Sequence, residues 1–549
     1  MNQITTTDET ATPAAPLEPV ARRPRLLIPL ALAGVIAIGA IALALRSGGG
    51  NGPPATGSAR LVPPDALLYL HVSTDRGRDG TSRALDLAKR FPALSRVRDA
   101  LLRRLSAAGA PVNYRRDIEP WVGGEAALAL LNTTSQTAGS LIVVSVSDRR
   151  RAEAYLKRAA GPSSATTYRG ARIARYGNTA TAFVGRYLVV GQETSLRSAI
   201  DSSAGRAPSL ARSSTFRRAT RSLSRQRAAD VYLSAGGVRR LLATQTGPLG
   251  IAGVLLDQPA LAGAAVGLTP RAGGARLDIH SELDPALARQ HPSVFRPFTP
   301  QLVSDVPKTA MAYLGVAGLD RVAGRLLTAG VAGGSTGARL DQLVRRAARS
   351  LATAAGVNVD RDILPLLRNE VGLWLAPTLP APTLTLIART KDEEATRVAF
   401  SRLQTPLAKL FAPPSAGPGQ APVFNERDVD GTKVFSLELA ANVEIDYAVF
   451  AGKLVVSTNL DGVRAVRRGK GSITERSGFQ ATLGQHPARV TSLVFLDFRQ
   501  LLDLGERTGL MQSRSYLSVR NDLRRVRALG VSSSGGRNES TTELSLQIS

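Results

Sequence analysis

The strongest constraint on the fold of this chain is an internal repeat that covers most of its 549 residues. Six segments of the first half recur in the same order in the second half. The matched pairs are 62–73 with 306–317, 116–125 with 361–370, 183–200 with 450–466, 209–216 with 472–479, 230–234 with 493–497, and 266–268 with 529–531. Ordered matches of this kind predict two tandem copies of one module from an internal duplication.

The matches also set the predicted domain boundaries. We expect a first module at 61–284, a Pro-rich linker at 285–304 and a second module at 305–549. The linker region carries four prolines and no sustained period, as a connecting segment does. Two copies of similar size could pack face to face about a pseudo-twofold axis, or they could stand apart on the linker.

Within each copy, short apolar runs alternate with helical patterns. The runs ALLYLHVS, EAALALL, LIVVSVS and RYLVVG predict buried strands, and residues 150–160 predict a helix. A single helical stripe is predicted from Leu87 through Phe91 to Leu105. In the second copy, the alternation from Val443 to Val449 predicts a strand with one wet face. Closely spaced strands with peripheral helices favour an α+β fold with mostly antiparallel sheet.

Ahead of the modules lies an apolar segment that can cross a bilayer. Residues 26–45 contain no charge, and a helix of twenty residues spans roughly 30 Å. Arg22, Arg23 and Arg25 precede this segment, whereas only Arg46 follows it closely. The positive-inside rule therefore predicts a single-pass transmembrane helix with a cytoplasmic N-terminus and the bulk of the chain outside.

The apolar segment has a second possible interpretation, and a polar segment lies on each side of it. A cleaved signal peptide is the alternative, since Ala42 and Ala44 form an A-x-A pattern, but its apolar core is normally shorter. Residues 1–25 are expected to be a disordered cytoplasmic N-terminus, and residues 46–60 a Gly/Pro/Ser linker.

Composition narrows the possible chemistry. The chain has no cysteine, which excludes disulfides, thiolate metal sites and a cysteine nucleophile. Its net charge is +27, and only eight of its seventy basic residues are lysine. Such a basic balance either attracts an anionic polymer or lipid or reflects GC-rich codon usage. Aromatic residues make up 5%, and none interleave with a basic run, so nucleic acid is not expected as a partner.

No motif points clearly to an enzyme or to a cofactor. The four histidines, His71, His280, His291 and His486, have no zinc-hydrolase spacing, and His71 falls inside a predicted strand. Ser335 lies in a G-x-S-x-G pentapeptide, but in a helical stretch rather than on a strand–turn–helix. We therefore predict no catalytic residue, no metal ligand and no cofactor.

Paired carboxylates are the best candidate site by position. Asp117 with Glu125 recurs as Asp362 with Glu370 at unchanged spacing. Two carboxylates can perform acid–base chemistry or hold a hard cation. The structural alternative is stronger, because Asp after Arg suits a turn and Glu at a strand start suits an ion pair.

These motifs resemble the bacterial membrane-anchored family called domain of unknown function 3352. That family shows a V-P-x-D start and a D-I-x-P-W-x-G-x-E-x-A core after a membrane helix. The first copy matches at Pro64, Asp65, Asp117, Pro120, Trp121, Gly123 and Glu125. The second keeps Asp362, Pro365 and Glu370 but has Leu366 and Arg368 in place of Trp and Gly. The resemblance implies no activity, and the asymmetry places a ligand site in the first copy or between the two.

The expected function is a non-enzymatic binding or scaffold role in the cell envelope, outside the membrane. The partner is expected to be an envelope protein, a lipid or an anionic polymer. An envelope hydrolase and electrostatic docking to anionic wall polymer or lipid are the alternatives.

Overall fold

A computed structural model describes most of the chain after the predicted anchor. The described residues are 52–75, 77–91, 114–131, 139–160, 163–176, 179–242, 259–291, 293, 296–321, 353, 356–378, 381–409, 411, 422–440, 443–509 and 514–549. Within these ranges, no helix has the length and apolar character needed to span a membrane. The predicted transmembrane helix at 26–45 and the pentapeptide around Ser335 lie outside the described residues.

In the described part of the chain, twenty strands form one continuous sheet in which every neighbouring pair is antiparallel. The first ten are β1 Leu68–Ser73, β2 Val122–Leu130, β3 Ser140–Val146, β4 Ser164–Tyr168, β5 Ala171–Tyr176, β6 Thr179–Val184, β7 Tyr187–Gly191, β8 Ala229–Ser234, β9 Leu261–Arg271 and β10 Gly274–Leu283. The second ten are β11 Ala312–Ala317, β12 Glu370–Ala376, β13 Thr383–Arg389, β14 Phe424–Val429, β15 Thr432–Ala440, β16 Val443–Phe450, β17 Lys453–Ser457, β18 Ser492–Asp497, β19 Val526–Gly535 and β20 Glu539–Ile548.

Helices connect the strands and cover both faces of the sheet. They are α1 Asp79–Lys89, α2 Arg149–Ala160, α3 Glu193–Ser203, α4 Ser214–Arg221, α5 Pro285–Gln290, α6 Glu393–Lys409, α7 Leu460–Arg468, α8 Ser477–Leu483, α9 Phe498–Arg507 and α10 Arg514–Leu523. Two single-turn 3-10 helices, Gly57–Arg60 and Leu302–Asp305, precede β1 and β11 and are called the first and second cap helix. Other short helical turns are Tyr114–Ile118, Leu210–Arg212, Ala235–Gly237, Val238–Leu242, Val359–Ile363, Leu364–Leu367 and Ile473–Glu475. Helices mixed with antiparallel sheet confirm the predicted α+β class.

The strand order from either outer edge of the sheet to its centre is the same in the two halves. In the first half the strands lie side by side in the order β4-β5-β6-β7-β3-β2-β1-β8-β9-β10. In the second half the corresponding strands follow the same order from β14 to β20. An approximate twofold axis, normal to the sheet, therefore relates the two halves.

The halves join edge to edge through their last strands. β10 pairs with β20 over nine residues, with Asp278 opposite Glu543 at the middle of the register. The halves are thus neither packed face to face nor separated on a linker. The segment 285–304 also contains structure, because Asp284 caps α5 by accepting hydrogen bonds from the backbone N–H groups of Ala286 and Leu287.

Each half buries two apolar layers, one on each face of the sheet. In the first half α3 and α4 cover one face through Leu196 and Phe216, while Ala152 of α2 packs on the opposite face with Trp121. The second half repeats this arrangement, with α7 and α8 on one face and Phe400 of α6 on the other. Burial of both faces explains the long apolar runs in the strand sequences.

Two local predictions need correction. The helical stripe predicted from Leu87 is interrupted before Phe91, since α1 ends at Lys89, and the rest of the stripe, up to Leu105, lies outside the described residues. The cause is Pro92, because a residue that precedes proline disfavours the helical conformation. The strand at 443–450 is confirmed, but its polar face is not wet: Asp446 is fully buried, because α7 packs over that face.

Candidate functional site

The first acid of each predicted pair lies in a local ion pair. Asp117 is buried at the end of a helical turn, and its carboxylate meets the guanidinium groups of Arg116 and Arg158 at 3.1 Å each. Asp362 meets Arg361 at 2.8 Å and accepts a hydrogen bond from the backbone N–H of Asn358 at 2.9 Å. The Arg361 hydrogen bond is the main reason why the pKa of Asp362 is lowered. Both acids therefore serve the turn that precedes β2 or β12.

Glu125 holds the N-terminus of the first cap helix. Its side chain is fully buried on β2, and it accepts hydrogen bonds from the backbone N–H groups of Gly57 and Ser58, each at 3.1 Å. The hydroxyls of Ser58 and Tyr187 donate to it as well, at 2.8 and 2.6 Å, and Arg186 approaches to 3.4 Å. Burial raises the pKa of Glu125, but the hydrogen bonds from Tyr187 and Ser58 outweigh burial, so the net pKa is lowered.

Glu370 occupies the corresponding position on β12 and holds the second cap helix. Its Oε1 accepts hydrogen bonds from the backbone N–H groups of Gln301 and Leu302, at 2.8 and 2.9 Å. Among the described residues, its buried Oε2 has no hydrogen-bond partner. Burial consequently raises the pKa of Glu370 above its usual value. The two glutamates both hold the N-terminus of a cap helix, but the pKa of Glu125 is lowered whereas that of Glu370 is raised.

A buried polar network extends from Glu125 across β1 to β8. His71 is fully buried, and its Nδ1 lies 3.1 Å from a carboxylate oxygen of Asp230, which also meets Arg227 at 2.7 Å. The other ring nitrogen, Nε2, lies 3.8 Å from Glu125 Oε2 and has no hydrogen-bond partner among the described residues. Burial raises the pKa of Asp230, but His71 and Arg227 outweigh it and the net pKa is lowered.

The described residues of the second half do not form such a network. The strand registers place Gly315 where the first half has His71, and Leu493 where it has Asp230. Tyr313 fills the space beside Gly315, since a Cβ added there would lie 2.5 Å from the tyrosine hydroxyl. The two copies therefore differ not only in the Trp and Gly of the core motif but also at the positions of His71 and Asp230.

The sequence pattern identified Glu125 but missed most of the residues around it. These residues, Ser58, Tyr187, Arg227 and Asp230, come from three separate segments of the chain. Only Asp230 carried a signal, as an acid near the start of an apolar strand. Such partners are brought together by strand pairing rather than by spacing along the chain.

The two acid pairs do not share a cleft. Between β2 and β12 lie eight strands of the sheet, which at about 4.8 Å per strand puts Glu125 and Glu370 roughly 40 Å apart. One cavity of about 270 Å³ is lined by residues such as Arg271 and Ser549, and another of about 310 Å³ by residues such as Arg368 and Asp392. None of the four paired acids lines either cavity.

The remaining histidines are dispersed. His280 is buried on β10, His291 ends α5, and His486 is half-buried with its Nδ1 2.8 Å from the carbonyl oxygen of Pro487. No pair of them shares one of the networks described above.

Comparison with known proteins identifies the family. Residues 26–549 match the family described as protein of unknown function (DUF3352), and the chain belongs to this family. No curated protein matches the sequence. Solved structures that show some similarity include crystal form I of TP0453, at 12% identity and a TM-score of 0.26 over 42% of this chain and 79% of that one. Crystal form III, at 12% identity, covers 45% of this chain and 90% of that one, with the same TM-score.

Proposed function

We propose that this protein is a single-pass, membrane-anchored component of the cell envelope with a non-enzymatic binding or scaffold role. The strand order shared by the two halves supports their descent from one duplicated module. The family match begins at residue 26, the first residue of the predicted transmembrane helix, which supports the inclusion of the anchor in the conserved unit.

The observation that carries the non-enzymatic role is the burial of Glu125. All of its oxygens are engaged by donors of the protein, and its side chain is fully shielded from solvent. A general acid or base must come within hydrogen-bond reach of its substrate. A carboxylate that closes a helix terminus inside the core cannot do so, and this favours a structural role for the family motif.

The anchor and its direction can be tested with single cysteines, because the chain has none of its own. Thr6→Cys lies before the anchor, and Ala204→Cys is an exposed position at the end of α3. A membrane-impermeant maleimide applied to intact cells should label Ala204→Cys only, and both variants after lysis. Labelling of Thr6→Cys on intact cells would overturn the topology. Loss of residue 6 from the mature chain would indicate that the N-terminal segment is cleaved.

The non-enzymatic role is tested on the full chain in detergent micelles against ester, peptide and glycan substrates. We expect no turnover above that of the detergent blank. Hydrolysis that is lost in Ser335→Ala, but retained in the control Ser304→Ala, would establish the hydrolase alternative instead.

Electrostatic docking is a second candidate, favoured by the composition of α2. This helix carries Arg149, Arg150, Arg151, Lys157 and Arg158 with one acid, and all five cations are exposed. Its counterpart α6 carries three cations and two acids. A local excess of charge on one face attracts a phosphate-rich polymer or an acidic bilayer surface.

The docking candidate predicts a specific charge dependence. With the full chain in neutral-lipid nanodiscs and poly(glycerol phosphate) as probe, replacing Arg149, Arg150 and Arg151 by Gln should weaken binding about 100-fold at low salt, at about 1 kcal/mol per charge. The control replaces Arg212, Arg217 and Arg221, which are exposed near and on α4, on the opposite face. Equal losses in both triple variants would show that net charge alone governs binding and would exclude a site on α2.

A further inference from the structure

At the seam between the two halves, a histidine and two glutamates converge at one end of the β10–β20 pair. His280 and Glu282 point to the same face of β10, since they are two residues apart in a strand. Glu539, the first residue of β20, lies directly opposite Glu282. Each half therefore contributes to the cluster, and neither half contains it alone.

The separations of the three groups suit one metal ion. His280 Nε2 lies 3.2 Å from Glu282 Oε1 and 3.6 Å from Glu539 Oε2, and one ligand atom from each residue lies within 4.8 Å of the others. A tetrahedral ion with bonds of about 2.0–2.1 Å holds its ligands about 3.3 Å apart. The two measured distances fall on either side of this value.

Neighbouring groups orient the ligands as an outer shell would. Nδ1 of His280 lies 3.2 Å from the hydroxyl of Thr541, which leaves Nε2 for the cluster. Arg218 of α4 donates to the second oxygen of Glu282 at 3.0 Å. Hydrogen bonds of this kind fix the ring orientation of a metal-bound histidine and the rotamer of a ligating carboxylate.

The two carboxylates of the cluster are paired with one guanidinium, that of Arg218, so one negative charge is left without a counterion there. Glu282 and Glu539 are like charges that face each other across two strands, a destabilising pairing. His280 and Glu282 are buried, whereas the side chain of Glu539 is 57% exposed. The cluster is therefore shielded from solvent on the side of His280 and Glu282 and open to solvent on the side of Glu539. An ion can enter from that side and keep a water as its remaining ligand.

The cluster occurs once, although the sheet is nearly symmetric. The twofold axis maps His280, Glu282 and Glu539 onto Ser545, Gln547 and Gly274, as the register of the two terminal hairpins shows. Among the described residues this is also the one group of three such side chains with metal-binding separations. Its residues are thus not required by the repeated architecture.

We propose that His280, Glu282 and Glu539 bind one divalent transition-metal ion, with Zn²⁺ preferred, and that the ion fastens β10 to β20. One imidazole nitrogen and two carboxylate oxygens form a ligand set that suits Zn²⁺ better than Mg²⁺ or Ca²⁺, which prefer all-oxygen sites. The two carboxylates balance the charge of the ion. The binding site is independent of the proposed envelope role.

The test titrates Zn²⁺ into the full chain in detergent micelles after removal of metal with a chelator. We expect one Zn²⁺ per chain by calorimetry and a rise in the melting temperature, since a ligand that binds only the folded state stabilises it. Glu539→Gln, an exposed position that leaves the core intact, should weaken binding at least tenfold, and His280→Gln should weaken it further. Mg²⁺ at the same concentration should produce neither effect.

The controls separate this site from adventitious binding. His486→Gln and Glu475→Gln remove a half-buried histidine and an exposed glutamate elsewhere and should leave Zn²⁺ affinity unchanged. Co²⁺ bound in place of Zn²⁺ should give d–d absorption bands that disappear in Glu539→Gln. Absence of stoichiometric Zn²⁺ binding, or binding that Glu539→Gln and His280→Gln both leave intact, would refute the site.

Discussion

The two cap-helix glutamates should respond very unequally to the same substitution. Glu125→Gln and Glu370→Gln each remove one charge at corresponding positions of β2 and β12 without changing side-chain volume. We expect Glu125→Gln to lower the free energy of unfolding of the first half by about 3–5 kcal/mol. Glu370→Gln should change that of the second half by less than about 1 kcal/mol.

The difference follows from how the oxygens are used. Both oxygens of Glu125 accept a backbone N–H, so the amide NH₂ of Gln must face either Gly57 or Ser58 and leave that donor unpaired. One lost charge-assisted bond costs about 1.5–3 kcal/mol, and the stranded donor about 1–3 kcal/mol more. At Glu370 a single oxygen accepts both N–H groups, so Gln keeps both bonds and places its NH₂ where no partner is lost.

The two tryptophans allow each half to be observed separately. Trp121 is buried in the first half and Trp374 in the second. Glu125→Gln is therefore made in a Trp374→Phe background and Glu370→Gln in a Trp121→Phe background, and urea unfolding of the full chain in micelles is followed by fluorescence. Each variant is compared with its own single-tryptophan parent. Equal losses in the two halves, or a larger loss for Glu370→Gln, would refute the reasoning from hydrogen-bond geometry.

Two further predictions concern the second half, with Trp374 fluorescence as the measurement. Burial raises the pKa of Asp446 to about 6, so its contribution to stability is complete below the unfolded pKa of about 3.8 and is lost as the pH rises through 6. Asp446→Asn should therefore match the parent near pH 4 and exceed it by up to about 3 kcal/mol at pH 8, and a pH-independent difference would contradict this account. Gly530→Ala should cost about 1–3 kcal/mol, because its Cβ would lie 2.7 Å from Leu483 and α8 would have to shift. Gly536→Ala, which would meet only the flexible side chain of Glu539, is its control and should change stability little.

Local patterns predicted much of the secondary structure of this fold. The runs at EAALALL and LIVVSVS became β2 and β3, and the helix expected at 150–160 became α2, because a continuous apolar run and an amphipathic period both record burial directly. The alternation around Asp446 failed for a related reason. Period two reports which side chains share a face, but it does not report whether a helix such as α7 later covers that face.

Long-range pairing was beyond the reach of these patterns. Nothing in the sequence of β10 indicates that its partner is β20 rather than a strand of its own half. The same limit applies to the network around Glu125, where the motif acid was found but Asp230 and Tyr187 were not. Repeats, by contrast, were visible at any distance, because they compare the chain with itself.

The pairing of β10 with β20 has a consequence for the order in which the molecule can be completed. β10 is synthesised roughly 250 residues before its partner β20. At a synthesis rate of about 5–20 residues per second, the outer edge of β10 remains unpaired for some tens of seconds. During that interval the first half has an open sheet edge, the kind of surface on which chains aggregate or exchange strands. Charged residues on that strand, Arg276, Asp278 and Glu282, are the usual protection of such an edge. The charged residues of β10 thus protect the open edge of the first half during synthesis, before the same residues become part of the pairing with β20.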